Sequence, residues 1–259
     1  MSLEALESNY SRVGSALIER LYETDSVLSL SGLEATDRLA AEAGIGTGSL
    51  VLDIGSGLGG PALRLAESLG CRVTGVDLVQ TNVETAQARA EARGLAERVG
   101  FRQGDAQDLP FADDSFDVIF SQDALCHVPA KVQAVAEAVR LVRPGGRIAF
   151  TDWVETGPMS AAMQETVLDA LASENLAAPA QYRDWLAGRG CEVRVLEDIS
   201  NVFAERYRAV MDRLATLETE ISEQFSPRVY KIMAEKNGAL LDAFAAGSLG
   251  GMLLVAEAA

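Results

Sequence analysis

Cysteine, histidine and basic residues are all scarce in this sequence, and each shortage removes a class of protein. Three cysteines in 259 residues, Cys71, Cys126 and Cys191, are too few and too far apart for a disulfide framework. No Cys-x-x-Cys pair and no histidine-rich stretch offers a zinc site, His127 being the only histidine. A reducing cytoplasm is the expected setting. The 22 Lys and Arg are outnumbered by 38 Asp and Glu, a formal charge of -16. Phosphate backbones are gripped by clustered cations, so no nucleic-acid partner is expected. The acidity fits a cationic substrate or mere solubility, and by itself does not choose between them. No apolar run approaches the length of a membrane span, and residues 1–10 lack a basic region followed by an apolar one. Neither a membrane partner nor an export signal is expected.

What is present is an alternation of strand and helix patterns. Residues 2–43 read as helices, with Leu17, Ile18 and Leu21 at helical spacing and a second apolar helix over 33–43. Strands then follow at 50–54, 72–76, 99–103, 116–121, 147–151 and 192–199, with helices at 61–68, 80–93, 131–142, 159–171 and 180–189 between them. Such alternation predicts an α/β fold whose parallel sheet is covered on both faces. Arg143-Pro144-Gly145-Gly146 reads as a turn that ends one helix before the fifth strand. Two long amphipathic helices, 204–225 and 227–246, break the alternation before a last strand at 252–256, and read as a cap over the carboxyl edge of the sheet. The expected organisation is N-terminal helices (1–45), a Rossmann-like core (46–200), a helical lid (201–248) and a final strand (249–259).

Val51-Leu52-Asp53-Ile54-Gly55-Ser56-Gly57-Leu58-Gly59-Gly60-Pro61 runs from a buried strand through glycines into a helix that Pro61 can open. Backbone must approach a ligand closely there. Gly55, Gly57 and Gly60 also fit the dinucleotide spacing, so the loop alone does not separate a nicotinamide enzyme from other nucleoside binders. Asp53, inside the strand end, can organise the turn and face a positive group, whereas a pyrophosphate gains nothing from that charge. Asp77 ends the second strand where a carboxylate can accept from both ribose hydroxyls. Asp105 and Ala106 follow the third strand, where a carboxylate and a backbone N–H can hold adenine; Asp105 capping the next turn is the competing reading.

Taken in order, Asp53 to Gly60, Asp77, Gly104-Asp105-Ala106, Ser115-Phe116-Asp117-Val118-Ile119 and Arg143-Pro144-Gly145-Gly146 resemble the class I S-adenosylmethionine-dependent methyltransferases. The resemblance implies a seven-stranded, mostly parallel sheet with an antiparallel last strand. It also implies S-adenosylmethionine as cofactor, with S-adenosylhomocysteine as product. The expected cofactor contacts are Asp53, Gly55, Ser56, Gly57, Gly59, Asp77, Leu78, Asn82, Asp105, Ala106, Gln107 and Gln122. No paired carboxylates of the hard-cation type follow the fifth strand, so no metal is expected.

Ser121-Gln122-Asp123-Ala124-Leu125-Cys126-His127-Val128-Pro129 follows the fourth strand at the carboxyl edge of the sheet. An imidazole there can take a proton from an acceptor as it attacks the methyl group, so His127 is a catalytic candidate; a structural histidine bonded to backbone is the alternative. Asp152, ending the fifth strand, is the second catalytic candidate, able to orient the imidazole or meet a substrate cation, or else to cap a loop. Trp153, Tyr182, Tyr207 and Tyr230 line a pocket or serve the core.

Across Ser121 to Ala124, His127, Tyr207, Glu220-Ile221, Ser226-Pro227, Met233 and Gly250-Gly251-Met252-Leu253 the sequence is similar to the glycine, sarcosine and dimethylglycine N-methyltransferases. It also resembles natural-product sugar O-methyltransferases, where residues matching His127 and Asp152 act at the acceptor and a histidine pair is usual, Cys126 standing here in place of its first member. The stretch 22–32 departs from the betaine-forming group, and Leu249 stands where that group commonly has tryptophan. The expected activity is methyl transfer to nitrogen or oxygen of a small metabolite. An amino-acid-like amine is the leading acceptor, with a sugar or phenol hydroxyl as the alternative. A nicotinamide-dependent oxidoreductase and a noncatalytic cofactor-binding module are the competitors from other classes. Oligomeric state, a homodimer included, is left open.

Overall fold

The computed structural model describes residues 10–24 and 26–259; the helical reading of residues 2–9 lies outside them. Seven strands form one sheet: β1 (Leu50–Ile54), β2 (Arg72–Asp77), β3 (Val99–Gln103), β4 (Phe116–Gln122), β5 (Val142–Glu155), β6 (Glu192–Asp198) and β7 (Leu249–Glu257). Their order is β3-β2-β1-β4-β5-β7-β6. β1 pairs in parallel with β2 and β4, while β7 runs antiparallel to β5 and β6. Connections leave β1 on one side and β4 on the other. The carboxyl ends of these two strands therefore open the crevice in which doubly wound sheets bind ligands.

Two-residue periodicity divides the strands between two cores. Val51, Val118, Phe120, Leu253 and Val255 belong to one, and Leu52, Ile54, Ile119, Met252 and Leu254 to the other. Burial on both faces explains why β4 and β7 read as continuous apolar runs. Ten α-helices among the described residues complete the chain. The first five are α1 (Arg12–Tyr22), α2 (Gly32–Glu42), α3 (Gly60–Leu69), α4 (Gln80–Ala92) and α5 (Lys131–Leu141). After them come α6 (Ala161–Ala170), α7 (Pro179–Ala187), α8 (Ser200–Thr216), α9 (Glu218–Gln224) and α10 (Pro227–Ala245).

The single helix expected over 204–225 is two. Leu217 leaves the helical region between α8 and α9, and the break lets Leu214, Leu217 and Ile221 all lie in the core. β5 also begins at Val142, so the Arg143-Pro144-Gly145-Gly146 turn is drawn into an irregular strand start opposite Phe116. Ser226 caps α10 by accepting from the Val229 N–H at 3.2 Å, with Pro227 opening the first turn. α8 lies hard against β7: a Cβ on Gly251 would stand 2.4 Å from the Phe203 ring, so only glycine admits the helix. Phe203, Tyr207 and Phe244 then gather round Trp153, with ring centroids 5.1, 5.9 and 5.7 Å from the indole.

One buried cation braces the turn after β4. Lys131, 3% exposed, donates from Nζ to the carbonyls of Cys126 (3.0 Å), Val128 (2.9 Å) and Asn175 (2.7 Å) and to Asn175 Oδ1 (2.9 Å). Substituting Met leaves these acceptors dry in the interior. We expect Lys131→Met to lose about 2–4 kcal/mol of stability. Urea unfolding checks this, and a loss below about 1 kcal/mol would mean that water replaces the ammonium.

Candidate functional site

The glycine loop is fastened before any ligand arrives. Gly55 and Ser56 donate their N–H groups to the Val76 carbonyl of β2, at 2.8 and 2.9 Å. Gly55 has φ +74°, and a Cβ there would stand 2.3 Å from the Ala124 Cβ, so conformation and space both demand glycine. Asp77 ties this loop to the next helix: Oδ2 accepts from Gly57 N–H (2.8 Å), and Oδ1 from Val79 N–H (2.9 Å) and Asn82 Nδ2 (3.3 Å). One carboxylate thus sets both the loop and the start of α4.

A cleft of about 1000 Å³, counted to its open mouth, lies over these strand ends. Eleven of the twelve residues expected to touch a cofactor line it. Gly59 does not. Its Cβ position would fall 2.8 Å from the Phe101 ring, so this glycine permits packing beneath the loop. Asp105 does cap its turn, accepting from Gln107 N–H (2.9 Å) and Nε2 (3.0 and 3.1 Å), and still lines the cleft. Gln122 faces the cleft with its side chain already engaged: Oε1 accepts from Thr36 (2.7 Å), and Nε2 donates to Ser31 Oγ (2.9 Å) and the Gly32 carbonyl (2.7 Å).

Beyond this cleft opens a larger chamber, about 1600 Å³ counted to its mouth, walled by α1, α8 and α10. Tyr10, Leu28, Asp123 and His127 line both spaces and mark the passage between them. His127 ends a short 3-10 turn after β4. Its Nδ1 lies 3.2 Å from the Ala172 carbonyl and its Nε2 2.9 Å from the Tyr10 hydroxyl. A carbonyl only accepts, so Nδ1 carries the proton, and Tyr10 O–H must donate to the Nε2 lone pair. Burial lowers the imidazole's pKa from its ordinary value to about 4, which keeps the ring neutral.

Asp123 also borders the passage. Its φ of 56° is left-handed, unusual for a residue with a Cβ, and its carboxylate accepts from Ser31 N–H (2.8 Å) and Thr151 Oγ1 (2.6 Å). Gln122 donates to Ser31 Oγ, whose proton can go on to Thr151 Oγ1 at 3.1 Å, so the hydrogen-bond chain runs toward Asp123. Burial raises the Asp123 pKa against these donors. Asp152 lies behind the passage, fully buried and outside the lining of either space. It accepts from Tyr182 O–H (2.6 Å) and Cys126 N–H (2.9 Å). It therefore fixes the turn that carries His127. Trp153 and Tyr207 line the chamber, whereas Tyr182 sits beneath the sheet in the second core.

Residues 52–150 match the family described as a methyltransferase domain. Over 194 residues the chain is 30% identical to the sarcosine/dimethylglycine N-methyltransferase of Halorhodospira halochloris, covering 75% of this chain and 69% of that one. The chain belongs to the S-adenosylmethionine-dependent methyltransferases. This methyltransferase is also 40% identical over 119 residues to the 27-O-demethylrifamycin SV methyltransferase of Amycolatopsis mediterranei, covering 46% of this chain and 44% of that one. Among three of its curated relatives the matched share of their length runs from 36% to 65%. Its fold is that of the Haemonchus contortus phosphoethanolamine N-methyltransferase 2 complexed with phosphomonomethylethanolamine and S-adenosylhomocysteine. The TM-score is 0.87 at 24% identity, over 98% of this chain and 59% of that one.

The methyltransferase's own residues fit the cofactor. Asp53 Oδ2 and Ser56 Oγ are buried in the cleft without a protein partner, an arrangement that is costly unless a ligand supplies a donor. Burial, and next the charge of Asp77, raise the Asp53 pKa to about 7. An ammonium group beside Asp53 would relieve both. Because the ionised form fills in only as pH passes about 7, cofactor affinity should rise about five- to ten-fold between pH 6 and pH 8 and then level. The sign for stability is opposite. A carboxyl whose folded pKa is raised contributes stability below the ordinary carboxylate range and loses it as pH climbs to about 7. Calorimetry with S-adenosylhomocysteine across this range tests the assignment, and an equal slope in Asp53→Asn would assign the titration elsewhere.

Sequence reading named eleven residues that the fold gathers into the cleft, and did not single out several that line the passage or brace it. Tyr10, Leu28 and the buried Lys131 carried no local signal, since each acquires its role from residues distant in the chain. Asp123 was visible only as part of the stretch around His127.

Proposed function

We propose that this methyltransferase methylates a hydroxyl oxygen of a small molecule, with His127 and Tyr10 removing the proton. The observation that carries this is the Tyr10–His127 hydrogen bond placed at the passage between cofactor cleft and chamber. Asp53, Ser56, Gly57, Asp77, Asp105 and Ala106 are the groups that would hold S-adenosylmethionine. When bound, that cofactor supplies a methyl carbon on a sulfonium leaving group.

The chain's residues supply alignment and a proton path. An acceptor hydroxyl seated at the passage passes its proton to the Tyr10 oxygen as the phenolic proton moves to His127 Nε2. No free phenolate forms, which matters because burial raises the Tyr10 pKa well above its ordinary value. The imidazolium then returns its proton to water. Asp123 faces the same point and orients the hydroxyl. Asp152 is a positioning residue in this reading, acting through the Cys126 N–H. A cytoplasmic setting suits the three cysteines, all free and buried.

The amine alternative rests on the resemblance to the sarcosine/dimethylglycine enzyme. Against it stands the charge of the chamber. Among the described lining residues the sole cation is Lys236, already paired with Asp169 at 2.8 Å, which leaves an amino-acid carboxylate without a partner. Turnover of phenols and alcohols, measured beside sarcosine and dimethylglycine, decides the matter. If dimethylglycine is the better substrate by kcat/KM, the oxygen reading is wrong.

A further inference from the structure

We infer that the acceptor is an amphipathic molecule with a bulky apolar body, a fused-ring or macrocyclic alcohol or phenol, presenting one hydroxyl to the passage. This rests on the chamber being the acceptor's seat, as proposed above, and adds what the rest of the acceptor must be. Three observations point the same way.

The first is size. Counted the same way, with the open mouth included, the chamber at about 1600 Å³ is larger than the cleft at about 1000 Å³ that would take a whole nucleoside cofactor. A small polar molecule would leave most of an apolar wall against water. The second is the placement of polarity. Near the passage lie Tyr10, Asp123 and His127, with Tyr22 close enough to feel the charge of Asp123; farther along the wall Ser11 Oγ accepts from Gly14 N–H at 3.2 Å, and the other polar side chains are engaged. Lys236 is held by Asp169, Tyr207 donates to Asn237 Oδ1, and Asn237 Nδ2 donates to the Met233 carbonyl at 2.7 Å. The remaining surface is Leu17, Ile18, Trp153, Val210, Met233 and Leu240. Such a wall rewards apolar area and, outside the tyrosines near the passage, has little to offer the many hydroxyls of a hydrophilic sugar.

The third is the rim. Nine large apolar side chains stand exposed on the described surface, and four of them, Val13 (54%), Phe225 (39%), Val229 (37%) and Ile232 (42%), line this one chamber. They come from α1, from the end of α9 and from α10. Exposed apolar residues scattered singly need no explanation, but their collection round one mouth marks a binding surface. With nothing bound they face water at a cost; an apolar body in the mouth removes them from it. The polarity thus runs from a polar inner end, through an apolar wall, to an apolar lip, which matches a molecule with one reactive hydroxyl at the end of a large hydrocarbon frame.

The test is direct binding to the full chain loaded with S-adenosylhomocysteine, so that no methyl transfer is needed. The probes are 2-naphthol, 1-dodecanol and estradiol, with sarcosine as the polar comparison. We expect affinity to rise with the apolar area of the probe, and sarcosine not to compete. Ile232→Glu and Val229→Glu, at exposed rim positions where folding is not threatened, should each weaken estradiol binding by about ten-fold or more. Their S-adenosylhomocysteine affinity should stay within about two-fold, and Leu196→Glu, on the exposed face of β6, should change neither. The inference is overturned if none of the three alcohols binds, if sarcosine displaces them, or if both rim variants bind estradiol as the parent does. Failure of the parent reading looks different: alcohols bind and respond to the rim variants, but no hydroxyl is ever methylated.

Discussion

His127→Ala should lower kcat by about 10²- to 10³-fold while leaving S-adenosylhomocysteine affinity within about two-fold. The imidazole is buried, neutral and pointed at the one hydroxyl that bridges the two spaces, so its removal deletes the only final proton acceptor in the relay. The loss should appear chiefly in kcat, because the proton is taken up only as the acceptor reacts. Tyr10→Phe interrupts the same path but leaves the base in place, and should cost about ten-fold less than His127→Ala. Single-turnover measurements with preloaded cofactor separate these steps from product release. A His127→Ala enzyme that keeps kcat within about three-fold of the parent would show that alignment alone drives the reaction and that the histidine is structural.

Asp77→Ala should weaken S-adenosylhomocysteine binding by about 30- to 100-fold. Its carboxylate does two things at once. It fixes the loop through Gly57 N–H and the start of α4 through Val79 N–H, and its remaining lone pairs face the cleft where a ribose would sit. Charge-assisted hydrogen bonds contribute about 1.5–3 kcal/mol each, and losing even one bond to the ligand together with the loop's anchor gives this range. Asp77→Asn keeps the shape and part of the acceptor capacity, so it should fall between. Titration calorimetry is the measurement. Affinity within about three-fold of the parent in Asp77→Ala would remove the ribose assignment, and the orientation of the cofactor with it.

The cofactor side was legible because its determinants are local. A strand, a glycine turn and a helix lie in one continuous stretch, and the carboxylates follow at the tips of successive strands whose periodicity the sequence displays. One position stands apart: Gly59 fits the motif's spacing but does not line the cleft, and the Phe101 ring packs where its Cβ would stand. The acceptor side was not legible. Tyr10 and His127 stand 117 positions apart, and nothing in the periodicity of α1 announces that the residue just before its cap reaches the turn after β4. Asp152 was read, from its place at a strand end, as orienting the imidazole, meeting a substrate cation or capping a loop. The structure turns it toward Tyr182 and Cys126 N–H, a choice made by packing beneath the sheet.

By itself, the sequence determined that this chain builds a doubly wound sheet and holds an adenosyl group. Apolar period, glycine spacing and strand-end carboxylates act over short distances that no distant contact can easily overrule. Tertiary structure decided what the methyl group meets. The chamber is made by three helices from opposite ends of the chain closing on one another, and the size, polarity and lip of a space between elements are properties that none of them carries alone.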